Sequence, residues 1–404
     1  MDDSFAVGPT RFGVFMAPFH LVGINPTIHY ERDLELIVRA DQLGFQEAWV
    51  GEHHSGGHEP IGCPELFLTA AAQRTKNIRL GTGVNSLPYH NPFLLAERLV
   101  LLDHLSHGRA MMGFGPGQLA SDAHMFAIDT TKQRNMLLEA AEVVVRLMRG
   151  ETVTIETEWF KLQDARLQVL PYSLPTLEMV VAAVASPSGP RTAGRLGLGM
   201  MNLAATGPDA FAALRGHWEI TAREAQEHGQ TVSRDGWRLA GIMHLAETEA
   251  QARRECEYGF EAIWRYLGEV SPLPLSNAST TQEMIDEAND AGLVCIGTAD
   301  MAIELINRLT EQTGGFGAFI MNLTDFASPD SRLRAIEIFA ERVIPYFRGQ
   351  LKSIYESNAW VLGTKGGESG GTKWKEQTID AIAAASQEYE AQRSAGVADR
   401  PTGG

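Results

Sequence analysis

Residues 44–59 read GFQEAWVGEHHSGGHE, and their interpretation decides the fold. Gly44 has the character of a helix-ending residue, and Gln46, Glu47, Ala48, Trp49 and Val50 follow it as a buried strand. Where that strand should stop, Glu52, His53, His54, His58 and Glu59 crowd together. Parallel α/β folds keep their chemistry just past the C-terminal ends of strands, so this cluster marks a candidate site.

Working outward, apolar runs at 11–17 (closed by Pro18), 78–84 and 109–114 alternate with helical patterns. One helix starts near Tyr30, with Leu34, Ile37 and Val38 on one face. Another starts at Pro92 and carries Leu94, Leu95, Leu99, Leu102 and Leu105 before Gly108. Such alternation indicates a parallel sheet covered on both faces, closed or open. Further strands are expected at 177–183, 200–204, 237–245 and 317–323. Eight strands favour an α/β (β/α)8 TIM barrel, and no GxGxxG follows the first strand.

The segment WFKLQDARLQVLP after a long helix at 133–149 reads as a hairpin or an extended insertion. A long charged helix is expected from Glu247, an insertion at 271–281, and the last barrel helix at 332–347. The barrel is therefore placed at 1–348. Residues 349–404 form a polar glycine-rich linker and a C-terminal helical extension that ends in ADRPTGG.

Composition sets the outer limits. Of 404 residues, 44% are hydrophobic and 21% charged, enough for a large core. A formal charge of −16 argues against nucleic acid and anionic membranes as partners. Three unpaired-looking cysteines, no basic leader and no long apolar run point to a cytoplasmic protein.

Four rim segments carry possible chemistry. In Glu52-His53-His54, a histidine can act as acid or base beside an organic cofactor, or it can brace Glu52 or a carbonyl. His and carboxylate ligands also suit zinc or iron, but the spacing matches neither HExxH nor a facial triad, so no metal is expected. His58 and Glu59 read as loop. Ser186-Pro187-Ser188 is either an ordinary helix cap or a phosphate site at a helix start. The small residues 81–85, GTGVN, and 113–117, GFGPG, let a flat ligand approach the backbone or simply pack the rim.

These residues resemble the bacterial luciferase-like flavin-dependent monooxygenases. The resemblance rests on WVGEHH (49–54), GTGVNSLPYHNP (81–92), LLDHLSHGR (101–109) and the strand-to-helix turn VVAAVAS ending at Ser186. The opening PFHLVGINPT resembles the limonene 1,2-monooxygenase-like subgroup. The resemblance implies a homodimeric TIM barrel that takes reduced FMN (FMNH2) from a separate flavin reductase. It implies O2 as co-substrate and a small apolar organic substrate such as a terpene, ketone or aldehyde.

Carried over by position, His53 is the catalytic histidine, and Gly83-Val84 supports the flavin ring, commonly through a non-proline cis peptide. Ser186 binds phosphate, and Asp122 stands near the flavin loop. Gly115 replaces the family's reactive cysteine and Pro116 its phosphate-binding arginine. These replacements argue against light emission and leave Ser188 and Arg191 as further phosphate partners. Phe15, Phe19, Trp49 and Phe114 are candidates for the apolar wall. The alternatives are an F420-dependent oxidoreductase on the same barrel, or a metal-dependent barrel hydrolase.

Overall fold

A computed structural model describes residues 8–16, 19–270, 278–362 and 370–398. The chain divides into two compact units, 1–347 and 348–404. The first holds eight parallel barrel strands: β1 (Arg11–Met16), β2 (Glu47–Val50), β3 (Arg79–Ser86), β4 (Ala110–Gly115), β5 (Glu178–Ala183), β6 (Gly199–Asn202), β7 (Trp237–Leu245) and β8 (Ala318–Leu323). Each pairs in parallel with the next, and β8 closes onto β1 through Arg11 opposite Ala318. The fold is a (β/α)8 barrel.

Helices α1 (Pro26–Gln42), α2 (Pro64–Arg74) and α3 (Pro92–Leu105) follow the first three strands, each with Pro in its first turn. Asn25 caps α1 by accepting from Thr27 N–H, and Asn91 caps α3 by accepting from Phe93 and Leu94. Gly44, at φ +82°, terminates α1 in a conformation that a side chain would oppose. The buried faces of these helices and the outer face of the sheet make the main core. A smaller cluster of Phe15, Trp49, Met111, Val180, Met201, Ala240, Ala318 and Ile320 packs together separately from it.

A charged plug accompanies that inner cluster. Arg238 of β7, with no exposed side-chain surface, donates to both Glu47 oxygens at 2.8 and 2.9 Å and lies 2.7 Å from Glu178 Oε1. Its guanidinium lies 5.3 Å from the centre of the Trp49 ring. These residues sit at or near the starts of β7, β2 and β5, the end opposite the rim that carries His53.

Of the finer sequence expectations, some fall outside the described residues, one is met and others differ. Residues 17, 18 and 271–277, and the linker at 363–369, lie outside the described residues, as do the ends 1–7 and 399–404. The insertion after the long helix is a hairpin, Val153–Glu156 with Lys161–Ala165. The single helix expected from Glu247 is two, Glu249–Cys256 and Phe260–Val270. Gly259 breaks them, because a Cβ there would lie 2.2 Å from the Asp325 carbonyl and its N–H donates to Phe326 O.

A short strand, Val294–Gly297, has no counterpart in the sequence expectation; it pairs with the second half of β7, beyond the end of the four-residue β6. Phe114 belongs to the outer core rather than the barrel interior, unlike Phe15 and Trp49. The second unit contains a further helix, Lys352–Leu362, besides Gly370–Ala398, and Trp360 meets Trp374 at 4.3 Å between ring centres. No helix among the described residues is long and apolar enough to cross a membrane.

Candidate active site

The β2 strand delivers Glu52, His53 and His54 to the C-terminal rim, and each takes a different partner. His53 Nδ1 lies 3.0 Å from Asp122 Oδ2, and Asp122 comes from the short helix Ala120–Met125 after β4. The other Asp122 oxygen accepts from the His54 backbone N–H at 3.1 Å and from the Ser55 hydroxyl. Burial alone would raise the Asp122 pKa, but these donors hold it below its ordinary value. With Asp122 ionised, Nδ1 of His53 is the donor and Nε2 faces the other way.

There Nε2 meets Glu59, 3.4 Å from Oε2. Glu59 is a loop residue, as read from the sequence, but a buried one: it is 5% exposed, and burial pushes its carboxyl up to about 8 despite the opposing charges of His53 and His20. Burial works against a charged His53, yet the Asp122 hydrogen bond and the charges of Glu59, Asp122 and Glu52 carry its pKa above the usual value. His58 is not loose either: its Nδ1 lies 2.8 Å from the His20 carbonyl, and its ring is 4.0 Å from Tyr266. The Tyr266 hydroxyl is buried without a hydrogen-bond partner among the described residues.

His54 is the brace. Its Nε2 lies 3.1 Å from Glu52, which also meets His90 at 2.9 Å and accepts from Asn85 at 3.2 Å. That network ties β2 to the end of β3. The His54 ring packs edge-on against Phe126, which stacks on Tyr89. Asn91 serves as the α3 cap, while His90 reaches Glu52.

The glycines form a second group. The Gly83–Val84 peptide is cis. It falls where β3 has one residue more than β4, between the Thr82–Met112 and Asn85–Phe114 pairs, which is a bulge. Gly115 lies against Val84: a Cβ there would come within 2.3 Å of Val84 Cγ2. Thus Gly83, Val84 and Gly115 meet in one place on the rim. On the neighbouring β5 side, the Ser186 and Ser188 hydroxyls are 2.8 Å apart and exposed at the start of Ser188–Leu196. Arg191 turns instead to Glu224, with Nε donating at 3.0 Å, because the helix Pro208–Glu227 runs beside it.

The histidines and carboxylates at 52–59 are therefore turned to separate partners and do not converge on one point. A different group, His20, His29 and Asp325, brings three ligand-type atoms within 4.8 Å. His20 already lies between Asp325 at 3.1 Å and Asp33 at 2.8 Å. Burial disfavours its charge, but those carboxylates lift its pKa to about 9. Its ring stacks on His29 at 3.9 Å and 22°. Stacked imidazoles aim their lone pairs within two nearly parallel planes, so an ion shared by both would sit off each lone pair. The cluster instead ties the loop after β1 to α1 and, through Arg332 on Asp325, to the helix after β8.

The 101–109 motif is structural in the same sense. Arg109 donates to Ala72 O and Ile78 O at 2.9 Å, closing the end of α2, while Asp103 accepts from Ser173. Sequence reading alone does not reach the roles of Glu59 and Tyr266; the proximity of Glu59 to E-H-H is the available signal for the first, and Tyr266 has none.

Comparison with known proteins agrees with this geometry. Residues 10–315 match the family model of the luciferase-like monooxygenases. The chain is 49% identical over 351 residues to limonene 1,2-monooxygenase of Rhodococcus erythropolis, covering 87% of this chain and 89% of that protein. It is 39% identical over 357 residues to 4-hydroxyprotoasukamycin monooxygenase of Streptomyces nodosus subsp. asukaensis, covering 87% and 95%. The oxygenating constituent of 3,6-diketocamphane monooxygenase from Pseudomonas putida, solved with FMN, shares the fold at a TM-score of 0.69 and 24% identity, covering 83% of this chain and 98% of that one. This chain belongs to the luciferase-like monooxygenase family.

Proposed function

We propose that this chain is the oxygenating component of an FMN-dependent monooxygenase, acting with O2 on a small apolar substrate of the terpene, ketone or aldehyde class. The observation that carries the reading is the orientation of His53. Asp122 fixes Nδ1, and Nε2 is left on the rim, at 3.4 Å from Glu59, beside a glycine-lined strand end.

FMN fits the donor set. Two exposed hydroxyls at a helix start, Ser186 and Ser188, suit a phosphate group, and the small residues Gly83, Val84 and Gly115 suit a flat ring. When bound in reduced form, FMN supplies the electrons and the reactivity toward O2 that side chains lack. The chain's own work is narrower. Asp122 accepts from Nδ1–H and keeps the imidazole oriented, while Nε2 holds or delivers a proton at the mouth. Phe15 and Trp49 keep the barrel interior apolar beneath it, which excludes water from the reacting groups.

The same reading includes a cytoplasmic enzyme, a separate flavin reductase and a homodimer. Leu94, Leu101 and Leu105 of α3 are exposed at spacings of seven and four, with Leu66 of the adjoining α2 also exposed, which supports a pairing face.

Purified protein, given photoreduced FMN, O2 and limonene or a cyclic ketone, is expected to form an oxygenated product detected by mass spectrometry. His53→Ala should lower its rate by about 10²–10⁴-fold. Turnover with reduced F420 alone, in the absence of O2, would overturn the assignment, and full activity of His53→Ala would remove His53 from its role.

A further inference from the structure

Glu59 and His53 lie on one short loop, yet that loop folds back so that Glu59 Oε2 sits 3.4 Å from His53 Nε2, across the imidazole from Asp122. The two carboxylates thus bracket one ring, and their environments differ. Asp122 accepts three hydrogen bonds, from His53, the His54 N–H and Ser55. Glu59 has 5% exposure, and the charges that reach it are those of His53, Asp122 and His20. Tyr266, from the helix Phe260–Val270, closes the same side; its hydroxyl is raised to about 12 by burial, with the Glu59 and Asp122 charges adding to the shift. A pair of carboxyls whose surroundings push them apart is the pattern by which proteins separate a charged anchor from a proton carrier.

We propose that Glu59 is the proton-holding partner of His53: it keeps a proton on its carboxyl beside Nε2 and replaces the one that this nitrogen delivers. The exchange balances. Nε2–H gives its proton to an oxygen at the mouth, Glu59 Oε2–H passes its own to Nε2, and the Glu59 carboxylate regains a proton from solvent. Asp122 stays ionised throughout and holds Nδ1–H. Glu59 acts through His53 and is a positioning residue in this scheme. The use of the proton rests on the oxygenase reading above, but its location does not.

The test is therefore made on the flavin-free protein. Infrared difference spectra against pH should contain a protonated-carboxyl C=O band that titrates near pH 8 and is absent from Glu59→Gln. In parallel, imidazole nitrogen NMR should leave the His53 pKa in Glu59→Gln close to that of wild type, because a protonated Glu59 and a glutamine are both uncharged. A wild-type spectrum without that band overturns the proposal even should Glu59→Gln fail to fold. A folded Glu59→Gln whose His53 pKa falls by about 1 unit or more reveals an ionised Glu59 in wild type and overturns it equally. Failure to bind reduced FMN, measured separately by fluorescence, would count against the oxygenase reading alone.

Discussion

Replacing Arg238 by Met keeps most of the side-chain volume and deletes the cation that joins Glu47 to Glu178 at the closed end of the barrel. Wild-type Arg238 makes contacts at 2.8 and 2.9 Å to Glu47 and at 2.7 Å to Glu178, with no exposed surface. After the change, Glu47 keeps Arg11 at 3.1 Å and the Trp49 indole at 2.9 Å, while Glu178 keeps Arg79 at 2.6 Å. Removing one partner of a buried ion pair costs about 3–5 kcal/mol, because the remaining charge stays in a medium that cannot solvate it.

At about 2–4 °C per kcal/mol for a domain of a few hundred residues, the thermal midpoint should fall by roughly 6–20 °C. The sign with pH is a second check. Burial alone would raise both carboxyls, but the arginines depress them, Glu178 to about 2. A carboxyl depressed in the fold contributes stability above its unfolded pKa and loses it as pH falls through the folded value. Arg238→Met weakens that depression, so the gap between variant and wild type should narrow from pH 7 to pH 4, measured by urea unfolding. The additional change Glu47→Gln should restore part of the loss. A variant within about 1 kcal/mol of wild type, or a gap that does not change with pH, would refute this account of the plug.

The other predictions concern the rim. Ser186→Ala combined with Ser188→Ala should weaken FMN binding by about 10-fold or more, from lost hydrogen bonds to a charged group, and leave riboflavin binding unchanged in the same fluorescence titration. Gly115→Ala sets a methyl 2.3 Å from Val84 Cγ2, so it should cost about 1–3 kcal/mol in chemical denaturation or displace Val84 in a crystal structure. Glu59 and His53 both have raised folded pKa values. Such groups stabilise below their unfolded pKa and lose that contribution as pH rises through the folded value, so Glu59→Gln should gain on wild type between about pH 5 and pH 9 in thermal melts. Leu101→Glu should convert a dimer to monomer in sedimentation analysis; a wild-type monomer would remove the pairing face from consideration.

The sequence by itself determined the barrel and the rim on which its chemistry lies. Apolar runs alternating with helices of period 3.6 are local patterns, and Pro92 and Gly44 punctuate the chain through their own backbone chemistry. The cluster after Trp49 was legible because strand ends are where such barrels place reactive groups. What it could not contain was pairing between residues far apart in the chain. Asp122 reaches His53 from 69 positions away and Arg238 reaches Glu47 from 191, distances set only by barrel closure.

Glu59 marks the boundary most clearly. It lies six residues from His53 and was visible as a letter, yet its significance comes from its burial beside the His53 imidazole. A carboxyl in solvent is an ordinary anion at neutral pH; the same carboxyl, desolvated beside an imidazole, becomes a group that retains its proton toward neutrality. Type and spacing belong to the sequence, but desolvation is a property of the assembled fold.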